Sequence, residues 1–212
     1  MYMIRFIIIS IIFFTSFLSS ETKLIILGSG TPNPDPERYG SGYAVVVNDE
    51  AYIVDFGPGI VRRISAMSPT WGGEFPSMEL ENINTAFLTH IHSDHSGALA
   101  DLILTPWIMG RDEPLNLYGP EGLKAMSENI TEAYIDDINY RLYGSQPANE
   151  LGFTTNVTEI SDDGTIFKDN NIEVIAFKNA HGDFKNSFGF LFITEDKRIL
   201  FSGDTAVSSN LM

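Results

Sequence analysis

Leu88-Thr89-His90-Ile91-His92-Ser93-Asp94-His95-Ser96-Gly97 is the stretch on which the reading of this 212-residue chain turns. It gathers three of the chain's four histidines and one carboxylate. Imidazole and carboxylate are the ligands of hydrolytic metal sites, and the chain has no cysteine to supply a thiolate. A turn without metal would crowd histidines that repel one another on protonation. Thr85-Ala86-Phe87-Leu88 reads as a buried strand. Ser96 to Leu104 reads as a helix with Ser96 as its N-cap, so the ligands sit on a strand-to-helix loop.

Working outward, Lys23 to Leu27 is predicted as a strand running into Gly28-Ser29-Gly30-Thr31-Pro32-Asn33-Pro34-Asp35-Pro36-Glu37-Arg38. A dinucleotide-binding turn is excluded there. Asn33 stands where the third glycine belongs, and three prolines forbid the phosphate-binding helix. Tyr43 to Val47 and Tyr52 to Asp55 are two strands joined by a hairpin turn at Asn48-Asp49-Glu50. Asp55-Phe56-Gly57 imitates a kinase motif without the companion loops. Its aspartate reads equally as an acceptor of backbone N–H groups at a strand end.

Ile60 to Met67 is a helix, and residues 68–83 form a loop in which Trp71 and Phe75 read as packing anchors, with walls of a substrate pocket as the alternative. Leu115 to Tyr118 is a strand. One long helix is predicted from Leu123 to Arg141, then a loop from Tyr143 to Gly152. Strands follow over Thr154 to Ile160, Ile172 to Phe177, Phe188 to Thr194 and Arg198 to Phe201.

The length and a 43% hydrophobic content suit one sizeable core. A formal net charge of −15, with no basic run beyond Arg62-Arg63, makes nucleic acid an unlikely partner. Residues 1–20 have the form of a secretory signal peptide. Met1 to Arg5 carry one positive charge, Phe6 to Leu18 are mostly apolar, and Ser19-Ser20 precede Glu21. The stretch is short for a membrane span, so an exported, periplasmic or extracellular protein is expected, with residues 21–212 as its single domain. The sequons at Asn129 and Asn156 matter only in a eukaryotic secretory pathway.

The H-x-H-x-D-H pattern resembles the metallo-β-lactamase fold superfamily, and the likeness runs from about Lys23 to Met212. The Gly28-Ser29-Gly30-Thr31-Pro32 loop and the segment Thr105 to Pro114 are similar to the ribonuclease Z-like and arylsulfatase-like branch. The resemblance implies an α/β (α+β) fold, an αββα sandwich. It implies that His90, His92 and His181 hold one metal, that Asp94 and His95 hold a second, and that Asp204 of Ser202-Gly203-Asp204-Thr205 bridges them. Asp55 would orient a ligand histidine. Asp94 would also orient or deprotonate the attacking water. Two zinc ions are implied, with manganese or iron as substitutes, generating a hydroxide and steadying the attacking and leaving oxygens.

The family pattern ends in a further histidine after the Gly-Asp-Thr turn, and the given sequence reaches Met212 without one. On this reading the second half is incomplete and the second metal under-coordinated. About one tightly bound metal and little activity are then expected. The reaction expected of a complete member is hydrolysis of phosphate or sulfate esters of small molecules. Ribonuclease Z-type processing of transfer RNA, a β-lactamase and a non-catalytic metal-binding remnant are the rivals. Homodimer formation is left open.

Overall fold

The computed structural model describes residues 21–207. The signal-like stretch lies outside them. Two sheets stack face to face. The first has six strands in the order β1 (Lys23–Gly28), β2 (Gly42–Val47), β3 (Glu50–Val54), β4 (Thr85–Phe87), β5 (Leu115–Pro120) and β6 (Thr155–Ile160). The second has four: β7 (Gly164–Lys168), β8 (Glu173–Lys178), β9 (Phe188–Ile193) and β10 (Arg198–Phe201), in the spatial order β10-β9-β8-β7. Among the described residues no helix is long and apolar enough to cross a membrane.

Side chains alternate across a strand, and this splits the core in two. Ala44, Val46, Ile53, Ala86 and Leu88 join the cluster under the helices. Their neighbours Val45, Val47, Tyr52, Val54 and Phe87 face the second sheet and meet Val174, Phe188, Phe190 and Phe192. The middle strands of the first sheet are therefore apolar on both faces, as a covered sheet requires.

β1, β2 and β3 form an antiparallel meander, with the two-residue Asn48-Asp49 turn at φ 49° and 66°. Asn and Asp tolerate that left-handed backbone, which matches the strand twist. From β3 to β6 the pairing is parallel. The crossovers are α1 (Ile60–Met67), then α2 (Ser93–Ser96) with α3 (Leu99–Ile108), then α4 (Leu123–Ala133) with α5 (Ile135–Tyr143). In such sheets, sites form beyond the carboxyl ends of the strands. Asp55 follows β3, and the Thr89–His95 loop follows β4. His181 and Asp204 leave the matching ends of β8 and β10.

Three local expectations are corrected. Ser96 does not cap α3; it ends the short α2, and its hydroxyl donates to the carbonyls of Ile91 and His92. The long helix is two, broken at Tyr134, where φ is −101° and ψ 15°. Trp71 is 72% exposed, so it is no packing anchor, whereas Phe75 packs against the core. β7 is a further strand in a stretch to which the sequence pattern assigned no element; its pairing shifts register between Thr165 and Phe167, which breaks the alternation that would mark it.

Candidate metal centre

Asp55 is the buried anchor of the site. Its backbone is left-handed, at φ 57°, and it is 1% exposed. One carboxylate oxygen accepts the Thr89 backbone N–H at 2.8 Å, and the other lies 2.7 Å from His95 Nδ1. Both sequence readings of Asp55 therefore hold together, as N–H acceptor and as a partner for a histidine.

Thr89 extends the same device. Its hydroxyl lies 3.0 Å from an Asp55 oxygen and 3.0 Å from His90 Nδ1. A hydroxyl that donates to the carboxylate is left to accept a hydrogen bond from the imidazole N–H. Asp55 thus sets His95 directly and His90 through Thr89. In that tautomer each ring turns an Nε2 lone pair toward the ligand space.

The opposite side is built by His92 and His181. His92 Nδ1 lies 3.1 Å from His90 Nε2 and 3.2 Å from His181 Nε2. Ligand nitrogens about 2.0–2.1 Å from a tetrahedral ion stand about 3.3 Å apart, so the spacing fits one metal shared by three imidazoles. A second group joins His90, His95 and Asp204. His95 Nε2 is 3.3 Å from an Asp204 oxygen and 3.7 Å from Asp94 Oδ2. All six residues singled out in the sequence therefore border one space. In the second group His90 stands where the resemblance assigns Asp94, which borders it from one side.

The charges suit cation binding. Burial, then repulsion from His95, His92 and His181, depresses the His90 pKa to about 3, which keeps its lone pair free at neutral pH. Burial also opposes charge on His95. Burial is the largest single influence, but the Asp55 hydrogen bond and the charges of Asp55, Asp204 and Asp94 together outweigh it, and the net shift is upward.

Tight backbone packing holds the ligand loop. The Asp94 carbonyl accepts the Ser41 N–H at 2.9 Å. A Cβ on Gly57 would stand 2.0 Å from that same oxygen, so only glycine fits. On the second-sheet side, Asn179 donates to the Ser202 carbonyl at 2.7 Å, and the Ala206 N–H donates to the Ala180 carbonyl at 2.7 Å. These bonds stitch the loop bearing His181 to the turn bearing Asp204. Thr89 lay inside the decisive stretch, but its bond to Asp55 could not be read from spacing. Asn179 carried no sequence signal.

Two clefts open beside the centre. One of about 230 Å³ is lined by Leu24, Ile26, Ser41, Tyr43, His95 and Asp204. The other, about 340 Å³, lies between Ser93-Asp94 and the proline-rich loop, with Thr31, Asn33, Arg38 and Tyr39 on its walls. The Gly-Thr-Pro loop therefore does flank the ligand loop.

The profile of the family described as Anti-Pycsar protein Apyc1 matches residues 22–212. Ribonuclease Z of Mycobacterium bovis (strain BCG / Pasteur 1173P2) is 27% identical over 196 residues, 89% of this chain and 65% of that protein. The chain thus spans about two-thirds of the length of such relatives. Human tRNase Z, short form, superposes with a TM-score of 0.69 at 22% identity, covering 90% of this chain and 72% of that one. The metallo-β-lactamase fold protein YhfI of Bacillus subtilis gives 0.64 at 14%, covering 91% and 66%. The fold is that of a metallo-β-lactamase-type, ribonuclease Z-like protein.

Proposed function

The chain belongs to the family described as Anti-Pycsar protein Apyc1, and on that premise we propose that it is a metal-dependent hydrolase of phosphodiester bonds. The observation that carries this is the convergence of His90, His92, His95, His181 and Asp204 from three separate loops on one space. His90, His92 and His181, with Asp204, would hold one ion, and Asp94, His95 and Asp204 a second. Zinc suits this nitrogen-and-oxygen set, and manganese or iron is the substitute. When bound, such ions supply positive charge at the scissile phosphorus–oxygen bond and make water more acidic.

The protein's own residues do the rest. Asp94, beside His95, orients the attacking water and accepts its proton. Asp55 and Thr89 hold His95 and His90 in the tautomers that face the substrate. Thr31, Asn33 and Ser93 offer polar groups along the wider cleft for the ester's remaining oxygens.

Phosphorus rather than sulfur is the choice that the ribonuclease Z relatives support. A substrate of one or two nucleotides suits this surface better than a long RNA, because a net charge of −15 repels a polyanion. Processing of precursor transfer RNA is the second reading, favoured by those same relatives. Export through residues 1–20 belongs to the proposal as well. The metal-loaded chain should be offered bis(p-nitrophenyl) phosphate, a cyclic nucleotide, precursor transfer RNA and an aryl sulfate side by side. Whatever turnover appears is expected on the small phosphodiesters. Cleavage of precursor transfer RNA alone selects the second reading, and turnover of the aryl sulfate alone removes both.

A further inference from the structure

Of the four histidines, two have a hydrogen-bonded partner behind them and two do not. His95 has Asp55, and His90 has Thr89. Among the described residues, no hydrogen bond reaches His92 Nε2 or His181 Nδ1. An imidazole ligand ordinarily needs such a partner to fix its rotation and tautomer.

An aromatic ring packs near these histidines instead. After β8 the chain turns sharply through His181-Gly182-Asp183-Phe184, with Gly182 at φ 54°. The Phe184 N–H donates to the His181 carbonyl at 2.9 Å, closing the turn. This brings the half-buried Phe184 ring to 4.8 Å from the His92 ring, tilted by 58°. The His90 and His181 rings lie at 5.9 and 6.1 Å. These separations and angles are those of favourable edge-to-face and tilted aromatic pairs.

We propose that Phe184 is a positioning residue that fixes the His92 and His181 rings by packing, in place of the hydrogen bonds that Asp55 and Thr89 give to the other two histidines. It lines neither of the two clefts beside the centre. Because it sits on the turn that delivers His181, the same residue sets both the place of that ligand and the rotation of His92. The assignment rests on the metal-centre reading given above.

The test is metal affinity, measured by competition with a chromophoric chelator and by the visible spectrum of the cobalt(II)-loaded chain. Phe184→Ala should weaken the tighter site on the order of 10–100-fold, the range seen when a ligand loses its outer partner, and should alter the cobalt spectrum. Phe184→Leu, which restores bulk without ring edges, should lose less. Melting of the metal-free variants at the wild-type temperature shows that the loss is local. If Phe184→Ala does not fold, the same comparison is made with Phe184→Leu, whose affinity must then fall. Wild-type affinity in a folded variant, with only KM for substrate raised, makes Phe184 a wall of the substrate cleft and overturns the assignment. A wild-type chain that binds metal but cleaves no phosphodiester removes the hydrolase reading and leaves this one standing. A wild-type chain that takes up no metal overturns both.

Discussion

His95 and His181 face the same space but are held in opposite ways. His95 is 5% exposed, sits in a four-residue helix on the loop that follows a buried strand, and is bonded at 2.7 Å to a carboxylate that is itself buried. His181 is half-buried, sits on a turn of the second sheet, and has an aromatic ring 6.1 Å from its own rather than a bonded acceptor. Asp204, its neighbour on that side, has a side chain 48% exposed. The first sheet therefore supplies a preorganised half of the centre. The second supplies a half whose geometry depends on how two loops are stitched together. Precision in such a site comes from where the hydrogen-bonded partners are buried, not from the number of ligands.

The sharpest way to break the comparison is to remove the residue that both ligand groups of the structure contain. That residue is His90. His90→Ala should abolish tight metal binding and lower turnover by about 10³-fold, the scale of several kcal/mol of lost transition-state stabilisation. Metal analysis and kcat would check it, and a variant retaining one full equivalent of metal would show that the two groups do not share this residue.

The next effect is on stability, in the metal-free chain. His90 has a folded pKa of about 3, below its unfolded value of about 6.5. Protons therefore bind the unfolded chain first, and the stability associated with neutral His90 is lost as pH falls from about 6.5 toward 3. His95 has the opposite sign. Its raised pKa contributes stability below the unfolded value, and that is lost as pH rises through the folded one. Urea unfolding across this range should show His90→Gln losing less stability than wild type on acidification, by on the order of a few kcal/mol. Parallel curves for the two proteins would mean that His90 is not held neutral by its surroundings.

The smallest effect separates the halves directly. Asp55→Asn keeps the shape but weakens the hold on His95, so metal affinity should fall on the order of 10–100-fold, with a loss of about 1–3 kcal/mol of folding stability. Asp204→Asn, on the exposed turn, should weaken metal binding while changing stability by no more than about 0.5 kcal/mol. Chelator competition and thermal melts on both variants make the comparison. Equal losses of stability would erase the distinction between a buried and a stitched half.

Much of the buried half was legible in the sequence. The histidine spacing, the apolar strand before it and the helix after it specify a strand-to-loop-to-helix ligand platform, because each is a local pattern. The resemblance gave Asp55 a ligand histidine as partner; that it is His95, with Thr89 beside it, was not legible, since they meet it only through the pairing of β3 with β4. His181 and Asp204 were placed by resemblance, and the structure does bring them beside the others. Phe184 escaped because a lone aromatic in a turn has no periodicity. The break at Tyr134 escaped because Leu123, Met126, Ile130 and Ile138 form an apolar stripe that runs on across it. β7 escaped because Ser161-Asp162-Asp163-Gly164 reads as a turn and the bulged strand behind it alternates poorly.

Gly57 sets a boundary on how far chains of this design can drift. With the Asp94 carbonyl 2.0 Å from where its Cβ would be, no side chain enters without lifting the ligand loop off its seat. The turn around Gly182 has open space at the same point, but its φ of 54° still disfavours a side chain. Exposed positions beside it, Asp183 and Lys185, face no such restriction. A randomised library spanning both regions would return glycine at 57 from nearly every active clone and a varied set at 183 and 185. New substrate preferences would therefore be selected on the rim of the second sheet, around a platform that hardly varies.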